Sequence, residues 1–275
     1  MTFPRSAGIL LHPTSLPGLY GIGTLGADAR RFIDLLSDAG IGLWQVLPLG
    51  PTGYGDSPYQ SLSAFAGNPY FIDPEELVKA GLLDRAAADA ARLENVGRVD
   101  FGAMFVQRNA LLDVAWKNFC AKHCRAMNNT TGQDETGGGA VADDAVGQDP
   151  LAAEFESFRR DNSFWLKDFA LFSAIKEAEH YAPWNTWPVE LKERRPEALA
   201  AFEADLEHAN RIRRHEFVQF LFYRQWAALH DYARQRGVKI IGDIPIFVAY
   251  DSADTWSHPE LFQLDAERRP IKVAD

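Results

Sequence analysis

The amino-acid sequence predicts an α/β fold built on parallel strands, and two observations support this prediction. Within residues 7–50 an apolar run, an amphipathic pattern and a second apolar run follow one another. Such a strand–helix–strand unit joins parallel strands. A third apolar run, at residues 238–249, comes after a strong helical pattern. Residues 50–69 follow the second run and are rich in Gly, Pro, Ser and Tyr. This segment is longer than the connections of α/β units, which usually have about two to six residues.

The first strand and the first helix are predicted within residues 7–40. "AGILLH" (residues 7–12) is an apolar run closed by Pro13, which predicts a buried strand. "ADARRFIDLLSDAG" (residues 27–40) predicts an amphipathic helix that Gly40 ends. We expect the inner face of this helix to consist of Phe32, Ile33, Leu35 and Leu36.

The second strand is predicted at "IGLWQVLPLG" (residues 41–50), and a mostly helical insertion follows over residues 75–214. Within it, residues 128–150 are rich in Gly, Asp and Thr and have little to bury, so they predict a flexible loop. "EFVQFLFYRQWAALHDYARQRG" predicts a helix over residues 216–237, and "VKIIGDIPIFVA" predicts the third strand. The chain is therefore expected to divide into residues 1–74, 75–214 and 215–275.

The charge of the chain disfavours polyanionic partners. The net charge is −10, with 38 acidic and 28 basic residues, and no basic stripe is visible. Binding to a nucleic-acid backbone or to an anionic membrane would need such a stripe. The two cysteines, Cys120 and Cys124, leave no room for a disulfide framework, and no signal peptide or membrane-spanning run is found. These features predict a cytoplasmic protein.

Two short motifs suggest cofactor or metal sites only weakly. "GIGTLG" (residues 21–26) matches a dinucleotide-binding pattern and keeps a nucleotide-dependent oxidoreductase as an alternative. That motif, however, expects a strand directly before it and an acid after the next strand, and neither is present here. "CAKHC" (residues 120–124) offers two thiols and one imidazole, but a structural zinc ion needs four ligands.

The stretch "GYGDSPYQS" (residues 53–61) is the richest candidate for a binding site. Tyr54 and Tyr59 offer flat faces for a pyranose ring, and Asp56 and Ser57 can bond hydroxyl groups. Gly and Pro residues would fix the loop and so preorganise these groups. The alternative is a structural turn with buried tyrosines.

A second candidate follows the third predicted strand, in "GDIPIFVAYDSADTW" (residues 242–256). Asp243 comes just past the strand, and in a (β/α)₈ barrel the C-terminal ends of the strands build the active site. A carboxylate at that position is a functional candidate. Asp251 and Asp254 are interpreted instead as solvated loop residues or helix caps.

Three long motifs resemble one known family. "LLHPTSLPG", "WQVLPLGPTGYGDSPYQSLSAFAGNPY" and "IIGDIPIFVAYDSADTWSHPELFQLD" are similar to 4-α-glucanotransferases of the amylomaltase (disproportionating enzyme) family. "WLKDFALFSAIK" and "PWNTWP" resemble the helical region of that family, and only residues 125–150 fall outside the likeness. The resemblance implies the N-terminal portion, strands 1–3, of an α-amylase-type (β/α)₈ barrel with a largely helical insertion between strands 2 and 3.

The resemblance also implies an activity and roles for single residues. The family transfers α-1,4-glucan segments between maltooligosaccharides with retained configuration, and it needs neither a metal nor an organic cofactor. By position, Tyr59 would face the donor sugar, with Ser57 bonding nearby. Asp243 would be a supporting carboxylate, and Tyr54 would lie on a glucan-binding surface away from the cleavage point. Asp56, in the same loop, is expected to bond sugar hydroxyls.

One departure from the family concerns the catalytic groups. The nucleophile and the acid/base of the family are expected beyond Asp275, so no catalytic residue is assigned among residues 1–275. The sequence therefore predicts a chain whose parent activity is glucan transfer but which is inactive alone. The alternatives are a non-catalytic glucan-binding fragment of a split or truncated gene and, with less support, the oxidoreductase.

Overall fold

The computed structural model describes residues 5–53, 55–93, 97–123, 149–245 and 247–272. Tyr54, Cys124 and most of the predicted flexible loop at residues 128–150 lie outside the described residues. The last two residues of that predicted loop are described, and Asp149 caps the helix that begins at Pro150.

A three-stranded parallel sheet forms the base of the fold, with strand order β1–β2–β3. The strands are β1 (Gly8–Leu10), β2 (Leu43–Gln45) and β3 (Lys239–Ile241). Ile9 pairs with Trp44, and Trp44 pairs with Ile240. This sheet confirms the predicted parallel α/β class, although each strand is shorter than predicted. Prolines follow soon after each strand and cannot donate to a ladder.

The expected burial of β1 is wrong. Its three residues are exposed, and Leu10 is 56% exposed. Successive side chains of a strand point to opposite faces, and here helices cover only one face. Trp44 on the covered face is buried, whereas Leu10, Gln45 and Ile241 on the other face are exposed.

Helix α1 (Ala27–Asp38) runs between β1 and β2 and packs against β2. Ala29, Ile33 and Leu36 are buried at helical spacing, and Phe32 is half-buried. The prediction for Leu35 is wrong, because that side chain is 63% exposed. Leu35 lies one residue, about 100°, away from the buried stripe.

The chain between β2 and β3 is mostly helical where it is described. Its helices before the last one are α2 (Pro74–Lys79), α3 (Arg85–Ala90), α4 (Phe101–His123), α5 (Pro150–Asp161), α6 (Ser163–Ala178), α7 (Val189–Lys192) and α8 (Pro196–Ala204). Helix α9 (Leu206–Gln235) leads into β3, and α10 (Ala253–Ser257) follows β3.

Helix α9 begins ten residues before its predicted start at Glu216. Asp205 caps it, because its carboxylate accepts from the backbone N–H groups of Glu207 and His208, both at 2.9 Å. The helix is therefore continuous across the expected division between residues 214 and 215. It packs against α1, α4, α5, α6 and α8.

The aromatic residues mainly build two cores. The first lies between the sheet, α1, α4 and α9 and contains Trp44, Phe119, Phe155 and Phe217. The second surrounds α6 and α10 and contains Phe172, Trp184, Trp187 and Trp256. The tryptophans of "PWNTWP" are thus core residues. In the part of the chain that the structure describes, no helix combines the length and apolarity needed to cross a membrane.

Candidate functional site

The long segment after β2 is an ordered loop. Thr52 and Ser61 pair in antiparallel fashion, and the N–H of Gly53 donates to the carbonyl of Gln60 at 3.1 Å. At the tip, Asp56 adopts a left-handed backbone with φ of 53°, which costs strain in a residue other than glycine. The backbone bonds hold the loop in an ordered conformation.

The same loop is fastened to the segment after β3. The N–H of Ala249 donates to the carbonyl of Ser61 at 3.0 Å, and the N–H of Ala253 donates to that of Leu62 at 2.9 Å. These bonds join the two stretches that the sequence singles out into one structural unit. Their side chains therefore keep fixed positions relative to one another.

Tyr59 and Asp243 meet directly at this junction. The phenol of Tyr59 donates to Oδ2 of Asp243 at 2.8 Å. This bond raises the pKa of Tyr59 above its ordinary value, because a phenolate would face the carboxylate. The ring of Tyr59 is 44% exposed, so the alternative of a turn with buried tyrosines does not describe this residue.

The other predicted loop residues that the structure describes are Ser57, beside this pair, and Asp56, at the tip of the loop. The backbone N–H of Tyr59 donates to Oγ of Ser57 at 3.4 Å. The hydroxyl of Thr52 donates to a carboxylate oxygen of Asp56 at 3.4 Å. The structure thus brings together Ser57, Tyr59 and Asp243, whereas Asp56 contacts its own loop. Tyr54 lies outside the described residues.

Asp251 is neither a solvated residue nor a cap, so that interpretation is wrong. Its carboxylate binds the ammonium of Lys176 at 2.5 Å and accepts from the backbone N–H of Trp184 at 3.1 Å. The residue joins the segment after β3 to α6 and to the second core. Sequence reasoning missed this because both partners are more than sixty residues away in the chain.

Asp254 also departs from its interpretation. It accepts from the backbone N–H of Ala64 at 2.9 Å, which fixes the end of the Tyr59 loop. Burial raises the pKa of Asp254 above its ordinary value. The cap of α10 is instead Ser252, whose Oγ accepts from the N–H of Thr255 at 3.2 Å.

A cleft of ≈ 160 Å³ opens beside Asp243. Its walls are the backbone after β2, residues 63–67 and three aromatic residues of α9 that sequence reasoning missed, namely Phe222, Tyr223 and Trp226. The amphipathic pattern of α9 indicated a buried face but could not show which residues end at a cleft. His12, just after β1, reaches the same edge of the sheet, where its Nε2 lies 3.3 Å from the carbonyl of Pro48. Burial lowers the pKa of His12.

The dinucleotide pattern has no room for a phosphate. A Cβ at Gly26 would lie 1.8 Å from a carboxylate oxygen of Asp73, and one at Gly23 would lie 1.9 Å from the carbonyl of Pro13. An acid therefore occupies the N-terminus of α1, where a dinucleotide-binding fold places the pyrophosphate. The packing of these glycines argues against nucleotide binding.

The "CAKHC" stretch is described only up to His123. This imidazole contacts the carboxylate of Asp149, and Cys120 packs against the first core. Among the residues whose structure is described, no group of three or more His, Cys, Asp and Glu side chains is arranged to hold a metal ion.

Comparison with known proteins gives a consistent result. The profile of the Glyco_hydro_77 family, 4-alpha-glucanotransferase, matches residues 11–268. The 4-alpha-glucanotransferase of Thermus thermophilus is 46% identical over 278 residues, which cover 100% of this chain and 49% of that protein. The 4-alpha-glucanotransferase of Aquifex aeolicus is 42% identical over 98% of this chain and 49% of that protein.

Comparison with solved structures gives the same result as comparison with sequences. An amylomaltase from Streptococcus agalactiae in complex with acarbose superposes with a TM-score of 0.82 at 35% identity, over 98% of this chain and 49% of that one. An amylomaltase from Corynebacterium glutamicum, at 17% identity and a TM-score of 0.57, supports the fold alone. The chain spans about half the length of the curated relatives that it matches. The match over residues 11–268 and the identity to these relatives show that the chain belongs to the 4-alpha-glucanotransferase family.

Proposed function

We propose that this chain binds the donor glucan in a retaining 4-α-glucanotransferase reaction on maltooligosaccharides. The hydrogen bond between Tyr59 and Asp243 carries the proposal. It places an exposed aromatic ring beside a carboxylate at the C-terminal edge of a parallel sheet, where barrel enzymes hold their substrates. The complex of the related amylomaltase with acarbose supports the same class of ligand.

The proposed architecture follows from this placement. The three strands would belong to an α-amylase-type (β/α)₈ barrel, and residues 75–214 would form a helical insertion between its second and third strands. The exposed outer strands and the uncovered sheet face support the barrel, because such a face is normally covered. Residues 1–74 and 215–275 would supply barrel segments, with α9 passing continuously out of the insertion.

Each residue of the site has a proposed role. The ring of Tyr59 would pack on one face of the donor sugar. Asp243 would accept from sugar hydroxyls and support the positive charge of an oxocarbenium-like transition state. Ser57 and Asp56 would bond hydroxyl groups at the rim, and Tyr54 would contact the glucan farther along the loop.

The chemistry requires two further carboxylates. A retaining transfer needs a nucleophile and an acid/base about 5 to 5.5 Å apart. Asp251 is held by Lys176 and Asp254 by Ala64, so neither supports such a role. We therefore propose that neither catalytic carboxylate lies in this chain. The same observation favours the second candidate function, a glucan-binding part with no chemistry of its own.

Calorimetric titration of the 275-residue chain with maltoheptaose tests the proposed function. Tyr59→Ala is expected to weaken binding at the Tyr59 site at least tenfold, since the ring contact is lost. Tyr59→Phe should have a smaller effect, since it removes only the bond to Asp243. The matched control is Tyr232→Phe, because Tyr232 also donates to an aspartate, Asp34, at 2.7 Å on a different surface. Unchanged affinity in Tyr59→Ala would contradict the proposal.

A further inference from the structure

A second cleft, which we call the α4–α9 cleft, lies between α4, α9 and the end of α6. Its volume is ≈ 610 Å³, and its lining shares no residue with the cleft beside Asp243. Trp116 on α4 and Asn210 on α9 line it, and Tyr181 follows α6. Nothing in the roles proposed for Tyr59 and Asp243 uses this cleft.

The charges of the α4–α9 cleft balance. The guanidinium of Arg214 is buried, bonds Asp113 and lies 3.6 Å from Glu177. Nearer the surface, Arg211 bonds Glu207. The lining therefore holds equal numbers of cations and anions, namely Lys117, Arg211 and Arg214 against Asp113, Glu177 and Glu207. Such a lining favours a neutral ligand with many hydroxyl groups over an anion or a cation.

The hydrogen-bonding groups of the cleft are held in place. The indole N–H of Trp116 donates to the side-chain oxygen of Asn210 at 2.9 Å, so the amide nitrogen of Asn210 is left as a donor for a ligand. Arg214 contacts the side-chain oxygen of Asn109 at 3.3 Å and also bonds Asp113, whose second oxygen can accept from a hydroxyl. Groups fixed in this way bind a polyol with little loss of side-chain freedom.

Tyr181 supplies a flat, exposed surface at the mouth of the cleft. Its side chain is 49% exposed, and its ring meets Phe105 edge-on at 5.3 Å. Its backbone is left-handed with φ of 62°, and so is that of His180 with φ of 53°. Two consecutive residues other than glycine in this conformation cost strain, and such strain is concentrated at functional sites.

We propose that the α4–α9 cleft is a second carbohydrate site, which binds a neutral oligosaccharide with Tyr181 against a sugar face. The choice of an α-1,4-glucan as the ligand rests on the proposed function. Asn210 donates to the sugar hydroxyls, and Asp113 accepts from them. A long glucan held here stays close to the protein while another of its segments occupies the site at Tyr59 and Asp243, which raises its effective concentration there.

The test follows the indole N–H resonance of Trp116 in the tryptophan-labelled chain, assigned by its loss in Trp116→Phe. Maltoheptaose is expected to shift this resonance in a saturable titration. Tyr181→Gly, which suits the left-handed backbone, should weaken that titration at least tenfold. Asn210→Ala, at an exposed position, should also weaken it. Tyr59→Ala should leave it unchanged, so a failed proposed function and a failed second site give different results.

Two outcomes would overturn the second site. In one, the Trp116 resonance stays unmoved at about 10 mM maltoheptaose, a concentration that would largely fill a site with a millimolar Kd. In the other, maltoheptaose shifts the Trp116 resonance equally in the parent chain, in Tyr181→Gly and in Asn210→Ala. The circular dichroism of each variant, compared with that of the parent chain, confirms that the fold is kept.

Discussion

Gln219 binds both backbone groups of Gly67. Its amide nitrogen donates to the carbonyl of Gly67 at 3.0 Å, and the N–H of Gly67 donates to its oxygen at 2.7 Å. Farther along α9, Gln225 makes the same pair of bonds with Asp73, at 3.2 and 2.7 Å. The two glutamines thus satisfy buried backbone groups of the segment that follows the Tyr59 loop, which is not part of the described three-stranded sheet.

Gln219→Leu is expected to lower the free energy of unfolding by about 2 to 4 kcal/mol, because two buried backbone groups lose their partners. Urea unfolding followed by circular dichroism measures the change. The control is Gln235→Leu, at the exposed end of the same helix, which should stay within about 0.5 kcal/mol of the parent. Equal stability of the two variants would show that Gly67 finds other partners.

Asp243→Asn is expected to lower the pKa of Tyr59 toward its ordinary value of 10.0, because the phenolate would no longer face a negative charge. Titration of the labelled tyrosine carbon by NMR measures it. The matched control is Asp34→Asn, which should lower the pKa of Tyr232 and leave that of Tyr59 unchanged. An unchanged Tyr59 pKa in Asp243→Asn would mean that the bond is absent in solution.

Glu75 predicts a dependence of stability on acid. Bonds from Arg85 and then Tyr20 lower the pKa of Glu75 from 4.5 to about 2. Because the folded state prefers the ionised form, this contribution is fully present above pH 4.5 and is lost as the pH falls toward 2.

The expected result is that Glu75→Gln is destabilised relative to the parent at pH 7 and that the difference shrinks between pH 4.5 and 2. Denaturant unfolding across this range measures it. Glu197→Gln, at an exposed position in α8, serves as the control and should run parallel to the parent. A constant difference across the range would rule out a change in the pKa of Glu75 on folding.

The chain of residues 1–275 is expected to release no glucose from maltotriose and to form no longer glucan. Among the aspartates of the two loops, Asp251 and Asp254 support structure, Asp56 is bonded by Thr52 of its own loop, and Asp243 alone is bonded by Tyr59. The assay is chromatography of products made by purified chain of verified mass. Turnover that is lost in Asp243→Asn, Asp251→Asn or Asp254→Asn would show that the chain carries its own catalytic pair.

The sequence predicts the elements of this fold better than their surroundings. Local periodicity and glycine stops are sufficient for α1 and for the end of α9, because both signals lie within one element. Periodicity does not show what covers a face of a strand or helix. The prediction that β1 and Leu35 are buried is therefore wrong. The start of α9 at Leu206 is set by the cap at Asp205, which precedes the apolar pattern.

For the candidate site too, sequence patterns predict the residues better than the contacts between them. The loop composition and the end of the third strand indicate Tyr59 and Asp243 separately. Their direct bond joins residues 184 positions apart, and no local pattern reports such a distance. The interpretation of Asp251 is wrong because its partner Lys176 lies 75 positions away in the chain, and Gln219 gives no signal in the sequence at all.

β2 pairs with β3, and Leu43 lies opposite Lys239. Because these strands are far apart in the chain, β2 stays without this partner for some time during synthesis on the ribosome. β1 precedes β2 closely in the chain, but β3 emerges about 190 residues later, which takes roughly 10 to 40 s at ordinary translation rates. Throughout that interval one edge of β2 presents unpaired N–H and C=O groups, a template for pairing with a neighbouring nascent chain. Chaperone binding to the first half of the nascent chain would protect this edge until α9 and β3 arrive.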